Sequence, residues 1–132
     1  MRFLLSVVVL FITAMALGMV IHGVLIESEY AKLPNLFRPK DEVQHYFGQM
    51  LLAHLLMAVG ITWIYRQGRE AKPFFMQGVR FGAALALVAT IPLYLIYYAV
   101  QPIPESLVAK QLAYDTVGML ILGVVTAAVN RA

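Results

Sequence analysis

Between His45 and Arg69 the chain reads HYFGQMLLAHLLMAVGITWIYRQGR. No residue from Tyr46 to Tyr65 carries a formal charge. As an α-helix, about 20 such residues rise about 30 Å, the thickness of a bilayer's hydrocarbon core. Tyr46 and Phe47 stand at one end and Trp63 and Tyr65 at the other, the headgroup levels that amphipathic rings favour. Arg66 and Arg69 follow at once. The stretch is one membrane crossing, and the rest of the chain is read as its neighbours.

Composition supports that reading. Of the 132 residues 61% are hydrophobic and 13% charged, where a soluble domain carries about 25% charged residues. Apolar runs near residues 3–26, 76–100 and 107–129 add three more spans. The sequence therefore predicts an all-α, integral membrane four-helix bundle running up-down-up-down, with residues 1–132 as one domain. The first run could be taken for a signal peptide, since Ala14-Met15-Ala16 resembles a cleavage site. It continues about ten residues past that point, so an uncleaved span is expected. With no cysteine, disulfides, thiol nucleophiles and thiolate metal sites are excluded.

The connections differ in kind. Residues 27–44, ESEYAKLPNLFRPKDEVQ, hold four acids, three bases and two prolines. Pro34 and Pro39 bar a long helix there. The acids and His45 match no cation-binding loop spacing, so a solvated, mixed-charge loop is expected. RQGREAKP, after the second span, is a tight basic turn broken by Gly68 and Pro73. Pro102 and Pro104 precede a helix start near Glu105. Arg2, Arg66, Arg69, Lys72, Arg80 and Arg131 fall at one end, and Lys32, Arg38, Lys40 and Lys110 at the other. Short basic turns weigh most in orientation, so both termini are expected in the cytoplasm.

Small residues mark packing faces. Gly78, Gly82, Ala86 and Thr90 recur every four residues in the third span, and Gly118, Gly123 and Ala127 serve the fourth. Such ridges let helices approach closely. Pro92 lacks a backbone donor and is expected to kink the third span, freeing the carbonyl of Val88.

Five polar side chains interrupt the apolar runs. His22 lies about 7 Å inside the far end of the first span, while His54 and Asp115 each lie about 12 Å inside theirs. Tyr94 and Tyr97 stand near the end of the third, where an aromatic belt with Tyr98 is the plain explanation. All five fall in the outer leaflet of the expected topology. Intramembrane ionisable residues usually face inward and pair, so His22, His54, Tyr94, Tyr97 and Asp115 form a candidate site. The structural alternative is a His54–Asp115 hydrogen bond that fixes helix register.

Three functions fit. The cluster handles a small ligand, an ion or protons, since His titrates near neutrality. Alternatively, the chain is an accessory or scaffold subunit whose small-residue ridges engage other membrane helices or a second copy. The third is haem or metal ligation through His22 and His54. No ligand spacing supports it, so no cofactor is predicted, with haem or metal left open. Nucleophile elbow, phosphate-binding glycine loop and zinc-protease helix are all missing, which leans against an enzyme. Nucleic acid is not an expected partner of a chain with a modest charge of +3.

The runs IHGVLIESEYAKLPNLFRP, AHLLMAVGITWIYRQGREAKPFFMQGVRFG and IPLYLIYYAVQPIP resemble a family of small, uncharacterised four-span membrane proteins of bacteria. The resemblance covers nearly the whole chain. It implies a bacterial inner membrane and four helices, and carries no activity, cofactor or catalytic residue. The first span lacks the membrane-embedded Glu of small multidrug exporters.

Overall fold

The computed structural model describes residues 1–132 and contains helices and no strand. Four helices are long and apolar enough to cross a membrane: α1 (Arg2–Leu25), α3 (Lys40–Gly68), α4 (Phe74–Val100) and α5 (Glu105–Val129). A short helix, α2 (Glu27–Ala31), follows α1.

Side-chain pairs give the direction of each helix. Ser6 meets Thr62 and Asn130, while His22, sixteen residues on, meets Asp115. α1 is therefore antiparallel to both α3 and α5. Gly78 lies against Gly123 and Gly82 against Met119, and Tyr94 reaches Asp115, so α4 is antiparallel to α5. α5 is the central helix, flanked by α4 and α1, and α3 packs mainly on α1, touching α5 as well. Both termini and the Gly68–Pro73 turn share one end of the bundle, the turn end. Residues 26–39 and 101–104 close the other, the cap end.

Only 24 of 132 residues are buried, and large apolar side chains such as Leu56, Trp63, Leu87 and Val88 point outward. In water such a surface would drive association. Inside, around apolar clusters such as Val7, Leu10, Ile61 and Leu122, polar and small residues are also collected: Ser6, Thr62, Gln111, Thr126 and Asn130 are buried together with Gly78, Gly82, Gly118 and Gly123.

The closest helix contact is α4 on α5. A Cβ built on Gly82 would stand 2.5 Å from the Met119 carbonyl and 2.8 Å from Leu120 Cα, and one on Gly78 2.6 Å from Val124 Cα. The two backbones touch, which only residues without a side chain permit. Ala86 and Thr90 continue this buried face. The small-residue ridge of α4 is thus occupied within the chain. Gly118 faces α1, where an added Cβ would meet Ile21 Cδ1 at 3.3 Å.

One expectation about local structure is corrected and a second is given its local geometry. The first concerns residues 27–44, which are a structured cap and not simply a solvated loop. Pro34 does stop α2 from continuing, but Pro39, in extended conformation, caps the first turn of α3 at Lys40. Tyr30, Leu33 and Phe37 then pack on Ile21, Ile26, Ile103 and Leu107. The second concerns Pro92. The turn before it, Ala86–Thr90, widens to a π-turn in which the Ile91 N–H reaches Ala86 O. Steps of four residues drift about 40° each around an α-helix, so Tyr94 would stand about 160° from Gly78 on a regular one. The extra residue of the π-turn takes back about 100° and returns Tyr94 to the face that meets α5.

Candidate functional site

A second π-turn, Ile21–Leu25, holds His22 at the end of α1, with the Ile26 N–H bonded to Ile21 O at 2.9 Å. Of the four helices that build the polar cluster at the cap end, two are thus widened in or before the turn that carries the residue they contribute. π-turns recur at functional positions because they re-aim one side chain at the cost of a regular ladder.

Asp115 is the centre. Its Oδ1 lies 3.2 Å from His22 Nε2, and its Oδ2 accepts a hydrogen bond from the Tyr94 hydroxyl. His22 is the only basic side chain within ion-pair distance of it, and it carries a charge only when both ring nitrogens are protonated. The Asp115 side chain is 17% exposed and that of His22 35%. On the other face of the imidazole, Nδ1 lies 2.7 Å from the Tyr30 hydroxyl, with the two rings stacked at 5.9 Å. Gln111 Nε2 donates to the same hydroxyl at 3.3 Å.

One arrangement of protons satisfies every contact. Gln111 donates to Tyr30, Tyr30 to His22 Nδ1, and His22 Nε2–H to Asp115, which also accepts from Tyr94. Burial pushes the Tyr30 phenol above its ordinary range, against the Gln111 hydrogen bond, which lowers it. The hydroxyl therefore keeps its proton. The single loose end is Gln111 Oε1, buried with no partner. If His22 takes a second proton, both ring nitrogens donate and Tyr30 must turn its O–H away. A rotation of the Gln111 amide then presents Oε1 as acceptor.

Ion pairs hold the cap over this cluster. Lys110 Nζ lies 2.8 Å from Glu29 Oε1, Lys32 3.7 Å from the same oxygen, and Lys40 3.1 Å from Glu27. The Lys110 hydrogen bond, ahead of opposing desolvation and the charges of Lys110 and Lys32, holds the Glu29 carboxyl below its usual range.

Of the five residues singled out in the sequence, the structure brings together His22, Tyr94 and Asp115. His54 is elsewhere: its Nδ1–H donates to Met50 O at 2.7 Å, and its Nε2 rests on Gly18, 3.3 Å from where a Cβ would stand. Depth along an axis says nothing of direction around it, and at this level α1 lies between α3 and α5. The expected His54–Asp115 bond is absent. Tyr97 is 42% exposed and bonds to none of the cluster. Axial ligation by His22 would break its bond to Tyr30 or to Asp115, and His54 faces α1 rather than a shared pocket.

Tyr30 and Gln111 were not foreseen. Gln111 precedes Asp115 by four residues, one turn of the same face, and that spacing is visible in the sequence. Tyr30 depends on the cap fold and is not. A buried network at the turn end also went unread. Asn130 Nδ2 donates to Ser6 Oγ at 2.7 Å, Ser6 lies 3.1 Å from Thr62 Oγ1, and Arg69 donates to Asn130 O at 3.3 Å. It joins α1, α3 and α5.

No protein-family model, curated protein or solved structure matches this chain.

Proposed function

We propose that the protein is a multi-pass protein of a bacterial inner membrane, with both termini on the cytoplasmic face, and that His22, Asp115, Tyr94 and Tyr30 form an outer-leaflet site that takes up and returns a proton or a small cation. The observation that carries this reading is the Asp115 carboxylate, bonded through both oxygens yet facing no fixed positive charge, since the half-exposed His22 is neutral in the proton arrangement above. A carboxylate inside a bundle without Lys or Arg needs a proton or a cation. The idle Gln111 Oε1 supports the same reading, because it supplies the acceptor that the protonated state of the chain requires. The orientation is supported by charge: six of the ten Lys and Arg residues lie at the turn end, three of them within Arg66–Lys72.

The test uses proteoliposomes of fixed orientation. Orientation comes first: an impermeant thiol reagent should modify Asn35→Cys from outside and Gly68→Cys only after permeabilisation, with no native cysteine to interfere. The carboxyl infrared band that disappears in Asp115→Asn should then respond to pH changes outside the vesicle and ignore those inside. A band indifferent to outer pH would make the cluster a structural lock.

A second reading has its own observation. Residues 44–53 of α3 are exposed on every side, so this stretch is left largely uncovered by the chain, apart from the Arg38 guanidinium 4.0 Å over the Tyr46 ring. An accessory subunit covered there by another membrane helix would look the same. Photo-crosslinking from Leu52 to a different protein, together with the indifferent band, would favour it.

A further inference from the structure

The turn end is charged in a way that the polar cluster does not explain. Six cations gather there against one acid, Glu70. Most of the six have partners within the chain: Arg66 and Arg69 donate to Asn130, Arg131 lies 4.1 Å over the Phe74 ring, and Lys72 pairs with Glu70. Arg80 is exposed and has neither hydrogen bond nor ion pair.

Its position is specific. Arg80 lies about 9 Å along α4 from Phe74, below the level of the turn, where an unpaired guanidinium is costly unless it reaches the headgroups. It lines a groove of about 310 Å³ with Lys72, Glu70, Gln77 and Met76. The groove has a fixed wall, because Gln77 is bonded twice to the backbone of Glu70, accepting from its N–H at 2.9 Å and donating to its O at 3.0 Å. Lys72 and Arg80 against Glu70 leave one net positive charge, which one phosphodiester monoanion neutralises. Beside the groove, Phe75 and Met76 are exposed and apolar. A cation at headgroup depth opening on an apolar flank fits an amphiphile and not a free anion.

We propose that this groove binds the phosphodiester of an anionic phospholipid, with Arg80 as its main counter-ion and an acyl chain along Phe75 and Met76. The proposal rests on membrane insertion and is independent of the His22–Asp115 site and of orientation, because the test uses discs with identical leaflets. The full chain is placed in nanodiscs of mixed phosphatidylglycerol and phosphatidylcholine, and the lipid retained on detergent extraction is counted by mass spectrometry. Phosphatidylglycerol should be enriched about fivefold, the factor expected for one basic residue at a membrane surface. Arg80→Gln should bring the ratio close to one with helicity unchanged, while Arg2→Gln, an equal charge loss at the same end, should leave it intact. Should Arg80→Gln fail to fold, Arg80→Lys, which keeps the charge and loses the planar fork, should retain only part of the enrichment. An undiminished ratio in whichever Arg80 variant folds, equal losses in Arg80→Gln and Arg2→Gln, or no enrichment at all would overturn the site. Competition by glycerol phosphate as effective as that of the lipid would also overturn it, in favour of a soluble phosphate.

Discussion

Removing the Asp115 carboxylate takes an acceptor from both Tyr94 and His22, whereas removing His22 leaves Tyr94 bonded. The two substitutions should therefore couple. In a double-mutant cycle on the detergent-solubilised protein, Asp115→Asn and His22→Ala should show an interaction of about 0.5–1.5 kcal/mol. Asp115→Asn and His54→Ala should add, since His54 bonds to its own helix. Coupling through His54 in place of His22 would mean that the helices are rotated from the positions described here. Glu29 gives a second residue-scale expectation. Its folded pKa lies below the ordinary value, so its ion pairs with Lys110 and Lys32 stabilise above the usual carboxylate range. That stability is lost as pH falls through the lowered pKa. The acid arm of a thermal-stability profile should flatten in Glu29→Gln, and an unchanged arm would show that the cap is held by other contacts. At this scale the sequence marks His22, Tyr94 and Asp115 as anomalies, since a charged or strongly polar side chain among apolar ones is visible without a fold. Which of them meet depends on rotation about each helix, and there depth alone placed His54 with the wrong neighbour.

For the helices, the decisive contact is backbone on backbone. Gly82→Ala inserts a Cβ 2.5 Å from the Met119 carbonyl, so α4 and α5 must separate, at a cost of about 1–3 kcal/mol. Gly60→Ala, where nothing lies within 4 Å of the new atom, should leave thermal stability unchanged or raise it slightly, because Ala favours helix over Gly. Equal melting temperatures for the two variants would deny the close approach. The four-residue recurrence of Gly78, Gly82, Ala86 and Thr90 announces such a face, and Pro92 announces an irregularity. Neither shows that a π-turn resolves it. That outcome depends on α5 lying alongside, offering Asp115 to Tyr94 only if the helix is wound wide. The turn at Ile21–Leu25 has no proline to mark it, and its bond from Ile26 N–H to Ile21 O brings both isoleucines inward to the cap cluster. The cap itself was hidden by its composition. Charges in residues 27–44 read as solvated, yet Tyr30, Leu33 and Phe37 among them are apolar enough to dock.

Across the whole molecule, two polar networks brace a bundle whose outside is apolar. The one at the turn end, through Ser6, Thr62 and Asn130, is buried and shut off, as a lock should be. The one at the cap end is half-exposed, ends in an acid whose one basic neighbour is a histidine, and leaves one acceptor idle. That contrast supports the proposed proton or cation site, since a purely structural network gains nothing from an unused group. Four apolar runs, broken by proline and charge, made the number of long helices readable from composition, and the basic turn supports their orientation. Their order in space, with α5 central and α3 packed mainly on α1, follows from contacts that only coordinates reveal. The most direct measurement is a ¹⁵N–¹³C correlation spectrum of the protein in lipid bilayers, labelled at the histidine rings and the aspartate carboxyls. The expected result is a cross-peak between the His22 ring and the Asp115 carboxyl, 3.2 Å apart at Nε2 and Oδ1, with none from His54. A His54–Asp115 cross-peak, or no histidine contact with Asp115 at all, would contradict the site.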